Sequence, residues 1–114
     1  MQFLGVGNGF RRRMSVAYAA IVDLDASKAD VFDITLTGNI AIDCNSAMDG
    51  QPIIFRLKQD GTGGHTVSWG AMFRFGTDIP SVTPSTAADK MDIIGALYNE
   101  TDGKYDIVSY VRGF

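Results

Sequence analysis

Gly50–Gly76 reads GQPIIFRLKQDGTGGHTVSWGAMFRFG, and its alternation decides the fold class. Across Pro52–Asp60, Ile53, Phe55 and Leu57 share one face while Arg56 and Lys58 share the other. That two-residue period belongs to a half-buried strand. Gly64–Trp69 alternates again through Thr66, Val67, Ser68 and Trp69. Between the two runs, Asp60-Gly61-Thr62-Gly63-Gly64 is built from residues that tolerate positive φ. The spacing therefore predicts a hairpin. Nothing on it is equipped for catalysis, so the stretch points to a β-structural module and away from an enzyme.

The same pattern continues on both sides. In Val31–Thr37, Phe32, Ile34 and Leu36 oppose Asp33, Thr35 and Thr37; Gly38-Asn39 then reads as a two-residue turn, and Ile40, Ile42 and Cys44 resume the alternation. A second hairpin is predicted here. Upstream, Val16–Leu24 reads as one strand with Val16, Tyr18, Ala20 and Val22 on one face. Downstream, Phe73-Arg74-Phe75 is a short strand. Gly76–Thr86, with Pro80 and Pro84, is an irregular connector that tucks Ile79 and Val82 inward. Lys90–Tyr98 is apolar on both faces, with Met91, Ile93 and Leu97 on one and Ile94, Ala96 and Tyr98 on the other. That suits a central strand or one packed against another subunit. Asn99–Gly103 is a turn ending in Asp-Gly, and Tyr105–Val111 is the last strand.

About eight strands result, separated by Gly, Asp and Asn turns. No 3.6-residue period appears, residues 84–90 allow one helical turn at most, and no fixed-period repeat is visible. The expected fold is all-β: an antiparallel β-sandwich, jelly-roll-like, spanning residues 14–114, with an extended N-terminal arm over residues 1–13.

Charge separates these two parts. The arm carries Arg11, Arg12 and Arg13 and no acid, whereas residues 14–114 carry 7 basic and 13 acidic side chains. An acidic body argues against nucleic-acid binding, and a basic arm suits docking on an acidic partner. Gly5, Gly7 and Gly9 interrupt the arm, and Phe3, Leu4 and Phe10 are apolar residues it would expose if it hung free. Phe3, Leu4, Phe10, Arg11, Arg12 and Arg13 are therefore the candidate partner-binding residues. The single cysteine, Cys44, permits no internal disulfide and fits a small buried hydrophobe in a protein made in a reducing cytoplasm. The opening MQFLGVGNGFRRR places its charges after a short, Gly-broken apolar part, unlike a signal peptide. No apolar run approaches a membrane span.

Candidate chemistry is sparse. Gly5-Val6-Gly7-Asn8-Gly9 lacks the strand before and helix after that a nucleotide loop requires. His65 has no His or Cys partner for a metal site and no spacing that builds a triad. Asp23 and Asp25 share a strand face, and Asn99–Asp106 has acids without the Glu of a Ca²⁺ loop; solvated acidic edges explain both. The aromatics Trp69, Phe73, Phe75, Tyr98, Tyr105, Tyr110 and Phe114 suit either a core or a sugar-stacking platform, with core the commoner use. Arg56, Lys58 and Arg74 on outer faces are placed to pair with acids or meet a negatively charged partner. No catalytic residue, cofactor or metal is expected.

Taken together, Gly50-Gln51, Phe55–Gly70, Phe73–Pro80, Asp92–Gly95, Tyr98-Asn99, Gly103–Val108 and Arg112–Phe114 resemble a β-structural module of tailed-bacteriophage virion proteins. The strand pair Val31–Ile42 fits it too, so the resemblance spans about residues 16–114. It implies a non-enzymatic virion structural protein. A short form of the module implies a capsid decoration (cement) protein on the capsid exterior, assembled in the bacterial host cytoplasm. Its partner would be the major capsid protein, with homo-oligomers, a trimer foremost, and no nucleic acid or membrane. The alternative implied is a tail or fibre component with a receptor- or glycan-binding β-domain.

Overall fold

A computed structural model of the chain describes residues 12–114, and these are all-β, with nine strands and no helix. The strands are β1 (Arg13–Val16), β2 (Ile21–Asp25), β3 (Val31–Leu36), β4 (Ile40–Asn45), β5 (Pro52–Gln59), β6 (Val67–Trp69), β7 (Phe73–Arg74), β8 (Met91–Asn99) and β9 (Lys104–Val111). Six form one sheet in the order β1-β3-β5-β8-β9-β7, and three form a second in the order β2-β4-β6.

The antiparallel expectation is corrected. From β1 to β7 the chain alternates between the two sheets, so consecutive strands never pair. Up to β6, strands instead lie beside the next but one, and parallel to it: β1 on β3, β3 on β5, β2 on β4, and β4 on β6. The result is a short two-sided coil. Antiparallel pairing enters with β8, which runs against β5 and then against β9. Finally β7 returns to pair parallel with β9. The sheets are mixed.

The two anticipated hairpins are therefore corners. A two-residue hairpin turn of the type favoured by Asn and Gly needs positive φ at both central residues, or at the first of them. Neither Gly38 nor Asn39 has it. The segment carries the chain from β3 in one sheet to β4 in the other. Gly38 leaves room for Tyr18: an added Cβ would sit 2.5 Å from the Tyr18 hydroxyl oxygen, which would have to shift. Tyr18 also donates to the Asn39 carbonyl at 3.1 Å, and Asn39 Oδ1 accepts from Thr66 N at 2.9 Å. At the second corner, Asp60 Oδ1 accepts from the amides of Thr62 and Gly63, both at 3.0 Å. Gly63 and Gly64 have positive φ there, and the loop bonds sideways to the connector through Gly64 N and the Thr86 carbonyl. The run predicted as one strand over Val16–Leu24 is likewise broken: β1 ends at Val16 and β2 starts at Ile21 in the other sheet.

The inward faces are those the alternation specified. Phe32, Ile34 and Leu36 of β3, Ile40, Ile42 and Cys44 of β4, and Ile53, Phe55 and Leu57 of β5 are buried in one cluster between the sheets. Val82 of the connector joins them, with Ile79 packed against it. Phe55 sits at the centre of an aromatic chain. Its ring lies 6.3 Å from Phe32, 5.8 Å from Trp69 and 5.7 Å from Phe73, and Phe73 leads on to Tyr105 and Tyr98. Edge-to-face contacts of this kind add to the burial itself.

Two buried polar side chains fasten the loops to this frame. The Gln59 amide donates to the carbonyls of His65 and Ser85, at 2.8 and 2.9 Å, and accepts from His65 N. The Asp92 carboxylate accepts from Ser85 N at 2.6 Å and Gly113 N at 2.9 Å. Without these partners, each would be a costly buried polar group.

Candidate functional site

The β-strand pleat leaves one row of side chains from each strand on the outer face of the six-stranded sheet. Register brings these rows into ranks. Ser15, Asp33, Arg56 and Ile93 lie side by side across β1, β3, β5 and β8, and Thr35, Lys58 and Met91 form the next rank. Between the ranks lies an open depression of about 390 Å³, lined by Ser15, Asp33, Ile34, Thr35, Arg56, Lys58 and Met91.

Asp33 organises its charge. Arg56 grips it with two hydrogen bonds, Nε to Oδ1 at 2.5 Å and Nη2 to Oδ2 at 2.7 Å, and Arg13 adds Nη1 to Oδ2 at 2.6 Å. Paired guanidinium donors of this geometry are strong and directional. Partial burial pushes the Asp33 carboxyl up, but the hydrogen bonds and charges of Arg56 and Arg13 outweigh it and hold it below the usual carboxylate range. The same bond to Asp33 keeps Arg56 more firmly protonated. Lys58, by contrast, is exposed and makes no ion pair among the described residues. Arg13, Arg56 and Lys58 thus face one carboxylate, which makes a positive spot on an acidic body.

Further along the face the character changes. Arg74 is bound by Asp106, at 2.6 and 2.9 Å, and by Asp102 at 3.0 Å. Around β8 and β9 the surface is apolar, with Leu97, Val108 and Val111 at 43%, 60% and 51% exposure and Ile54 and Ile93 half-buried. The two-faced apolarity of β8 has the expected basis: the strand is central, and its second face is an open sheet surface.

Of the residues expected to bind a partner, Phe3, Leu4, Phe10 and Arg11 lie outside the described residues. Arg12 and Arg13 lie on the body. Arg12 donates to the Ser27 carbonyl at 2.6 Å and pairs with Asp30, and Arg13 opens β1 and pairs with Asp33. The aromatics take the commoner of their two expected uses. Phe73 and Tyr105 are buried, Trp69, Phe75, Tyr98 and Tyr110 pack against the core, and Trp69 spends its indole N–H on the Val82 carbonyl. Only Phe114 of that set is broadly exposed. His65 is a loop residue, its Nε2 3.0 Å from Asp60. Asp23 accepts from Asn45 and Asp25 from Ser27. No group of three or more His, Cys, Asp or Glu side chains is placed to hold a metal among the described residues. The notch itself needed β1, whose pairing with β3 brings Ser15 and Arg13 alongside Asp33. The outward placement of Asp33, Thr35, Arg56 and Lys58 was readable, but their adjacency was not.

A family model described as "Putative phage tail fibre C-terminal domain" matches residues 19–103, most of the folded body. The chain belongs to this family. No curated protein matches it by sequence. The tail fibre domain is thus a β-structural phage virion module of fibre type, in agreement with the resemblance read from Phe55–Gly70 and Asp92–Val108. The match moves the expected location as well. It favours the tail or fibre reading over a decoration protein on the capsid exterior.

Proposed function

We propose that the chain is a non-enzymatic component of a phage tail fibre, whose outer sheet face meets the host cell surface. The family match over residues 19–103 carries this reading. The face supports it: side chains there are rigidly ranked by the sheet, and a polar notch sits beside an apolar band of Ile54, Ile93, Leu97, Val108 and Val111. The band suits self-association into a homo-oligomer, a trimer by preference, which would multiply weak surface contacts through avidity. Gold-labelled antibody against the purified chain, imaged on intact virions, tests the location. Label on the fibres is the expected result, and label distributed over the capsid shell would replace this reading with shell decoration. Light scattering on the purified chain is expected to give a multiple of the 12.3 kDa chain mass, and a strictly monomeric mass at all concentrations would remove the self-association.

A further inference from the structure

The notch between β1, β3, β5 and β8 carries more than a generic contact surface. Its chemistry is specific in four respects. Asp33 is paired with both Arg13 and Arg56, which offset its charge toward an incoming anion. Arg56 uses Nε and Nη2 on Asp33, which leaves Nη1 without a hydrogen bond among the described residues. Lys58 stands in the next rank and makes no ion pair among the described residues. Ser15 and Thr35 add exposed hydroxyls that both donate and accept, and Met91 closes the side with a half-buried thioether chain. The volume is at the small end for ligand sites. Cations on β5, with hydroxyls of β1 and β3 on one side and the Met91 chain of β8 on the other, fit a ring that bears several hydroxyls and one carboxylate.

We propose that this notch binds a carboxylated sugar unit of a host-surface polysaccharide, with Lys58 taking the carboxylate and Thr35 and Ser15 taking hydroxyls. The polysaccharide as its source rests on the fibre reading. The notch chemistry itself rests on the ranked side chains. Lys58 supplies a compact point charge, and Arg56, fixed by Asp33, is held in place as a second donor.

The test uses the full chain, isotope-labelled, titrated in NMR with three probes: an oligomer of glucuronic acid, an oligomer of glucose, and inorganic phosphate. The expected result is saturable shifts at the amides of Thr35, Lys58 and Met91 with the glucuronic acid oligomer and none with the glucose oligomer. Lys58→Met is expected to weaken binding roughly tenfold, the loss of one charge-assisted hydrogen bond. Thr35→Val should weaken it less and leave the fold intact. Equal shifts with inorganic phosphate would overturn the sugar in favour of a simple anion. Shifts that survive Lys58→Met, or no shifts with any probe, would overturn the site. Virion labelling separates this outcome from the fibre reading: fibre-located label with a silent notch removes the notch alone, and shell-located label with a binding notch removes only the host polysaccharide as source.

Discussion

The coil of β1–β6 and the hairpin of β8–β9 use the same alternation to opposite ends. In the coil, each polar corner hands the chain to the other sheet, and every strand pair is parallel. In the hairpin, Glu100–Gly103 folds the chain back on itself, with Gly103 at φ 64 and its amide bonded to the Glu100 carbonyl. At the Gly38-Asn39 corner the difference lies in the turn backbone. Gly103 adopts the left-handed conformation that a tight reversal needs, and Gly38-Asn39 does not. A turn-forming dipeptide thus shows where a strand ends but not where the chain goes next, and positive φ alone does not decide it either, since Gly63 and Gly64 have it at a corner that crosses between the sheets.

The coil and the hairpin share one buried anchor. Phe55 is fully buried on β5, which pairs with β3 of the coil on one side and β8 of the hairpin on the other. Phe55→Ala is expected to cost about 3–5 kcal/mol. Trp69 fluorescence and hydrogen exchange at β8–β9 should lose stability together in denaturant. Hairpin amides that kept full protection while the coil opened would mean that the halves fold separately.

The two turns differ in how they tolerate a side chain. Gly103→Ala forces a Cβ into the left-handed region at a cost of about 1–2 kcal/mol. Gly38→Ala keeps an ordinary φ and meets only the half-exposed Tyr18 ring, which can swing away. Its cost should be the lesser of the two by thermal unfolding, and the reverse order would mean that the Gly38 corner is the strained one.

The smallest expected effect is electrostatic and falls on the coil. At Asp33 and Asp30, partial burial raises the carboxyl but arginine hydrogen bonds more than compensate, from Arg56 and Arg13 at Asp33 and from Arg12 at Asp30. A carboxyl held below its unfolded value near 3.9 stabilises the fold above that pH, and the contribution disappears as pH falls through the lowered folded value. Such partly exposed pairs are worth about 1 kcal/mol or less each. Acid titration should therefore raise amide exchange at β1 and β3 below roughly pH 4, and Asp33→Asn should flatten that response. An unchanged acid profile in Asp33→Asn would show that the pair adds nothing to the β1–β3 edge.

How far the sequence reached follows from the same contrast. Every inward apolar residue of β3, β4 and β5 was readable because period 2 marks the buried face whatever the strand's neighbour, whereas the buried Gln59 at the end of β5 carries no such mark. Pairing partners were not readable. Buried parallel sheets usually announce themselves as continuous apolar runs, but this coil leaves its outer face polar, so Asp33, Thr35, Arg56 and Lys58 give its strands an antiparallel signature. The turns of the coil were equally hidden. Arg13 lies beside Val31 and Val31 beside Ile54, while Ile21 lies beside Ala41 and Ala41 beside Ser68. The steps are unequal, so no fixed period reaches the sequence. The Asn99–Gly103 reversal, by contrast, was legible because Asp-Gly there does what its backbone preference suggests. The notch depends on β1 meeting β3, and a strand with only Val16 partly covered leaves no strong periodic mark.

Cys44 has a practical consequence. It is the chain's single thiol, it is 3% exposed on the middle strand of the smaller sheet, and burial pushes it up to about 11. A thiol so placed is inert to alkylating reagents while the sheets stay closed and reacts once they part. Its labelling rate is therefore a clock for the parting of the two layers, readable in the unmodified chain, alone or within an assembled particle.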